Sequence, residues 1–150
     1  MSGALSHSPA RVLQQLLSDQ SVGVIPPAAG NWPITVSDLP DTPDNAITIY
    51  DTAGKLDGNS QIDGEQYEHK GVMIEVRSAA NAYNTGWVKA QAIAVALDES
   101  LKLNTITVGS SVYTHYCSTR ESGPIPRRDD PNSRRFLFTI NLVTALRQTT

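Results

Sequence analysis

Oxygen-bearing side chains at alternate positions form the first candidate site in this sequence. Asp57-x-Asn59-x-Gln61-x-Asp63-x-Glu65-x-x-Glu68 spaces its donors as a calcium loop would, with a glutamate at the twelfth position. Ile62 stands where that loop needs glycine for its sharp turn, and the flanks do not read as paired helices, so an acidic solvated loop is expected instead. Asp38-x-x-Asp41-x-x-Asp44 could gather carboxylates around magnesium. Pro40 and Pro43 favour extended chain there, and the spacing follows no ligand rule. His115 and Cys117 lie two apart on a strand-like run and would share a face. Zinc needs two or more further ligands, and His7 and His69 are the other histidines, so strand packing is the expected role. No Gly-x-Ser-x-Gly elbow, phosphate-binding glycine loop or dinucleotide fingerprint occurs, and no local pattern sets a nucleophile beside a base. The expectation is a protein that is not an enzyme, with no catalytic residue, cofactor or metal.

Charge is a stronger signal. The net charge is only −3, but eight acidic residues and one base (Lys55) fall between Asp38 and Glu68, and six of the twelve bases are arginines between Arg120 and Arg147. Isolated surface charges contribute little to stability, and two solvated loops would explain the pattern. The alternative is complementarity between copies of the chain: an acidic surface on one meets a basic surface on the next, and such head-to-tail contacts close into a ring when the rotation permits. The candidate interface residues are Asp41, Asp44 and Asp51 on one side and Arg127, Arg128, Arg134 and Arg135 on the other. Arginine also suits phosphate, but Asp129 and Asp130 interrupt the basic run and no spaced aromatics offer stacking platforms. Sequence-specific nucleic-acid binding is therefore not expected.

The elements that must carry these groups are read from periodicity. Ser8-Pro9 starts a helix over 8–20, with Val12, Leu13, Leu16 and Leu17 on one face. Five prolines make 26–45 extended or turning chain, with a short strand at Ile34–Val36. Ala46–Asp51 and Val72–Arg77 alternate as strands; Val72, Ile74 and Val76 face one way, Met73, Glu75 and Arg77 the other. Polar, glycine-punctuated 53–70 between them is expected as a long loop or loose hairpin. A helix over 79–102 should bury Tyr83, Gly86, Trp87, Ala90, Ile93, Ala94, Leu97 and Leu101, with Trp87 plugging it onto the sheet. Strands follow at about 104–118, bent or bulged at Gly109-Ser110-Ser111, and 133–146, joined by a loop over 119–132. The last strand is apolar on both faces, and a neighbouring subunit is expected to cover part of the second face, where Leu137 and Val143 sit. Long loops of this kind favour a contact surface and should order on a partner.

At 150 residues the chain is expected to be one α+β domain, a mainly antiparallel mixed sheet of about four or five strands with two helices packed on it. The single Cys117 fits a reducing compartment, the first residues do not read as a signal peptide, and the longest apolar run, Ala92–Leu97, is too short to span a bilayer.

The order of these features resembles the tail terminator proteins of long-tailed bacteriophages, also known as minor capsid or tail completion proteins. The resemblance rests on the proline-rich acidic approach Asp41-Thr42-Pro43-Asp44 into Ile47-Thr48-Ile49-Tyr50-Asp51-Thr52, and on Val72-x-Ile74-x-Val76-Arg77-Ser78 before a long helix. A hairpin follows whose return strand opens Arg134-Arg135-Phe136 and continues to Asn141; the similarity covers most of residues 8–146. It implies a non-catalytic virion protein of the tail and neck, assembled in the host cytoplasm, whose homohexameric ring caps the tail tube and ends its polymerisation. The implied partners are other copies of the chain, the tail tube protein and a head-completion or stopper protein, with genomic DNA passing through the lumen without sequence-specific binding. Another ring-forming neck connector, an adaptor or stopper, or a small metal-assisted hydrolase using the 38–68 carboxylates, are the alternative readings.

Overall fold

The computed structural model describes residues 5–59, 66–99, 104–120, 123–128 and 134–149. Among these residues seven strands make one mixed sheet: β1 (Ile34–Val36), β2 (Ala46–Asn59), β3 (Gln66–Ser78), β4 (Asn104–Val108), β5 (Ser111–Arg120), β6 (Ile125–Arg128) and β7 (Phe136–Gln148). The helices are α1 (Pro9–Asp19) and α2 (Tyr83–Glu99). Strand order is β1-β2-β3-β7-β5-β4, and β6 pairs with β7 beside the stretch that β5 leaves open. Among the described strands β1 and β2 pair in parallel and every other pair is antiparallel. The α+β class stands, with more strands than the expected four or five.

Alternation builds the core. Ile47, Val76 and Phe138 lie in register across β2, β3 and β7, as do Ile49, Ile74 and Ile140 one step along, and all six are fully buried. Ser8 caps α1 by accepting the N–H of Arg11 at 3.3 Å, and Pro9 at the first turn gives up no bond. Val12, Leu13, Leu16 and Leu17 then point inward as their spacing requires. Because α1 touches β1 and β2 at one end of the strand order and β4 at the other, the sheet must curl around it. The Gln14 amide donates to the Ile34 carbonyl at 2.6 Å, and Lys89 of α2 donates to the Val22 carbonyl at 2.9 Å beneath the Trp32 ring.

The departures from expectation have local causes. Residues 53–59 and 66–70 continue β2 and β3 as a long hairpin, where the sequence suggested a loop. The run at 104–118 is two strands joined by Gly109-Ser110, with Gly109 at φ +61°, a left-handed position that glycine adopts without cost. Part of the expected 119–132 loop is β6, which carries Pro126 against β7 as an edge strand can. A register shift between His115 and Cys117 breaks the two-residue alternation on which their shared face depended.

In α2, Gly86, Ala90, Ile93, Ala94 and Leu97 are buried, but Tyr83 is 43% exposed and Trp87 is half-buried, while Leu101 lies outside the described residues. Trp87 meets the Phe138 ring edge at 6.2 Å between centroids. Complete burial would make Trp87→Ala cost roughly 3–5 kcal/mol; at half-burial the expected loss is about 1–3 kcal/mol. Chemical denaturation checks it, and a midpoint unchanged from the parent would show that the ring adds nothing to the helix–sheet contact.

Candidate interface at the acidic loop

The chain between β1 and β2 carries Asp38, Asp41 and Asp44, and β3 fixes its shape. Arg77 occupies an outward-alternating position yet is only 2% exposed, because this loop folds over it. Its Nε donates to the Asp44 carbonyl at 3.0 Å, and Nη2 donates to the carbonyls of Pro43, at 2.7 Å, and Pro40. A loop with prolines at 40 and 43 cannot satisfy all its carbonyls with its own N–H groups, and a planar guanidinium supplies several donors at once. The Thr48 hydroxyl donates to the Asp38 carbonyl at 3.2 Å, and Asn45 accepts the Ala79 N–H at 3.3 Å. On this second sheet face Leu137 is buried by its own chain, contrary to the expected cover from a neighbour; Val143 is half-buried.

Arg135 holds the same loop from the side. Nη1 donates to the Asp41 carbonyl at 2.8 Å, Nη2 approaches the Asp41 carboxylate at 3.2 Å, and Asp44 lies 3.8 Å away. The arginine side chain is 12% exposed, against 91% for Asp41 and 62% for Asp44. Both carboxylates therefore remain largely in solvent, which keeps each ion pair modest in energy and leaves their outer oxygens available.

The seven sequence-derived candidates thus divide. Asp41, Asp44 and Arg135 meet within one chain. Asp51 stands apart: its carboxylate accepts the Ala10 N–H at 2.9 Å, placing negative charge at the positive end of α1. Arg127 and Arg128 lie on β6 opposite Leu137 and Phe136, while Arg134 precedes β7 with a left-handed φ of 58°. Ala46, Arg77, Leu137 and Arg127 form one register row across β2, β3, β7 and β6, so the acidic loop and the arginines share one end of the sheet. Sequence reasoning missed Arg77 as the organiser, since a polar residue at an alternate strand position ordinarily faces water.

The calcium-like spacing falls partly on two antiparallel strands, with 60–65 outside the described residues, and a strand pair is not the helix pair that such a loop joins. Among the described residues no three histidine, cysteine or acidic side chains gather as a metal site would require. No helix among them is long and apolar enough to cross a membrane.

The fold and this site define a small α+β protein whose constructed features, a braced acidic loop and a projecting hairpin, are surface features. A family model described as bacteriophage tail terminator protein matches residues 16–148, and the chain belongs to that family. Among solved structures it is similar to a chain in the virion of a native gene transfer agent particle. The TM-score is 0.50 at 10% identity, over 75% of this chain and 78% of that one, a likeness of fold. No curated protein matches the chain. Family membership gives it a structural role in the phage tail.

Proposed function

We propose that the protein forms a ring, a homohexamer, that caps the phage tail tube, ends its polymerisation and presents a surface to the head-completion or stopper protein. DNA passes through the lumen without sequence readout. The observation that carries this reading is the family match over nearly the whole chain. It is supported by an acidic loop held in one shape by two arginines, since a contact surface fixed before binding loses less entropy when it docks.

Charge contributes to the contact between copies. Asp41 and Asp44 point their outer oxygens to solvent and face the neighbouring copy's arginines at 127, 128 and 134 in this reading. Arg135 belongs to the bracing of its own chain and acts on the contact through the loop. Arg134→Glu with Arg135→Glu should weaken assembly, and Arg127→Glu with Arg128→Glu should do so without loosening the loop. High salt should mimic the second pair where the contacts are exposed. Asp41→Lys with Asp44→Lys on the Arg127/Arg128 reversed chain should restore part of the loss. Native mass spectrometry with negative-stain imaging reads ring formation, and phage lacking the working protein should carry overlong tails or tails unjoined to heads. Normal rings from both arginine reversals would remove the charge contact; tails of normal length in the deficient phage would remove the terminator reading.

A further inference from the structure

The β2–β3 hairpin runs beyond the sheet that supports its base. β7 occupies the far side of β3 from Ser78 to Lys70, and β1 occupies the far side of β2 at Ile47–Ile49. From there to Asn59 and Gln66 the two strands pair with each other and, among the described residues, with no third strand. Register shifts at Thr52/Lys55 and Leu56/Gly58 interrupt the ladder of this ribbon, as bulges that bend and twist a strand pair do. Gly71 marks the departure: a Cβ there would lie 2.4 Å from the Ala53 carbonyl oxygen, so the crossing chain requires glycine. Beyond the last β7 pairing at Lys70 the arm comprises 53–59 and 66–69, and the four β3 residues, at roughly 3.3 Å each, give it a length on the order of 13 Å. Two strands alone are marginal in water, and two open edges invite a third.

Of the two ends of the strand order, one offers a place for that arm; β6 is also an edge, but it is four residues long and Pro126 has no N–H to give a further strand. At the β1 end, the Ile34 N–H already donates to the Val24 carbonyl at 2.7 Å, and the Ile34 carbonyl accepts from Gln14. That edge is three residues long and closed by its own chain. At the other end β4 is the last strand, pairs only with β5 among the described residues, and alternates exposed Thr105 and Thr107 with buried Ile106 and Val108. We propose that the arm of one copy pairs with the β4 edge of the next, so that the sheet continues from chain to chain around the assembly. Arm and edge are unlike surfaces at different ends of the strand order, as a head-to-tail contact demands. The inference rests on the ring reading and adds a backbone contact to its charge contact.

Hydrogen–deuterium exchange on the intact protein, in ring and monomer fractions separated by size, tests it. Amides of 54–59, 66–69 and 104–108 should slow together by about tenfold or more in the ring, because strand pairing removes them from solvent. A second chain, with 55–69 replaced by Asn-Gly to close a short hairpin, keeps every core residue described above. It should melt like the parent and form no rings. Mixed with the parent it should lower the ring yield in proportion to its share, because it still offers β4 but donates no arm. Normal rings from the shortened chain would overturn the proposal, as would arm amides that slow while β4 exchanges as in the monomer. Should the shortened chain fail to fold, the exchange comparison on the parent still decides. Parent rings with neither segment protected would sink the arm contact and leave the ring reading standing; a parent that never assembles would sink both.

Discussion

Arg77→Met should lower stability by roughly 3–5 kcal/mol, the loss expected when a buried charged donor is removed and several acceptors are left unpaired. The three carbonyls of Pro40, Pro43 and Asp44 converge on one guanidinium, and the thioether of methionine can donate to none of them. At this chain length the melting temperature should fall by about 10 °C. Arg77→Lys should recover only part, since an ammonium keeps the charge but cannot reproduce the planar fork. Loss of the loop's shape should also weaken ring formation more than the stability change alone explains, which separates bracing from bulk packing. A melting curve within ~1 °C of the parent would show that the loop holds itself and that the buried guanidinium is incidental.

How far these groups could be read in advance follows from which physical signals are local. The helix at Pro9–Asp19 was legible because Ser8, Pro9 and the leucine spacing all act within a few residues. The first half of β2 and all of β3 from Val72 show alternation because one face enters the apolar core while the other carries polar groups such as Thr48, Glu75 and Arg77. The outer half of the hairpin lacks that signal: Gly54, Gly58 and charged neighbours give no two-residue period. The turn at Gly109-Ser110 and a bulge have the same composition, and only the pairing of Val108 with Ser111 distinguishes them. Within the expected 119–132 loop, Pro126 removes a ladder donor, and a strand tolerates it there because β6 borders β7 as an edge strand.

The candidate interface was legible as composition but not as geometry. Clusters of opposite charge were plain in the sequence, yet Asp41 and Arg135 are 94 residues apart, and nothing local reveals that they meet in one chain. The burial of Arg77 is equally invisible, because it depends on a loop returning over a strand face that alternation assigns to solvent. Helix α2 shows the converse. Its buried stripe matches the expectation at Gly86, Ala90, Ile93, Ala94 and Leu97, falls short at half-buried Trp87, and is overextended at Tyr83, which packs its ring edge on Phe136 at 5.1 Å while remaining partly in water.

Gly86 is where that stripe meets its tightest neighbour, and its replacement should show the second large effect. A Cβ at this position would lie 2.5 Å from Phe138 Cε2, 2.5 Å from Ser78 Oγ and 2.9 Å from Ser78 Cβ. None of these can easily retreat: Ser78 and Phe138 are fully buried, and the Phe138 ring is flanked by Tyr83 at 5.2 Å and Trp87 at 6.2 Å. On an exposed helix, alanine for glycine would add about 1 kcal/mol of stability. Here it must lift α2 from the sheet or turn the phenylalanine from its rotamer, and overpacking of this kind costs roughly 1–3 kcal/mol. The net expectation is a loss of about 1 kcal/mol for Gly86→Ala and about 3 kcal/mol or more for the bulkier Gly86→Val. Phe138→Leu should open space beneath the helix, so Gly86→Ala on that background should cost less than on the parent and could gain stability from helix propensity. Denaturation midpoints of the parent, both single variants and the double variant give the coupling directly. If Gly86→Ala is as stable as the parent and shows no coupling to Phe138, the helix does not lie against the sheet at this distance, and glycine is not what sets the approach.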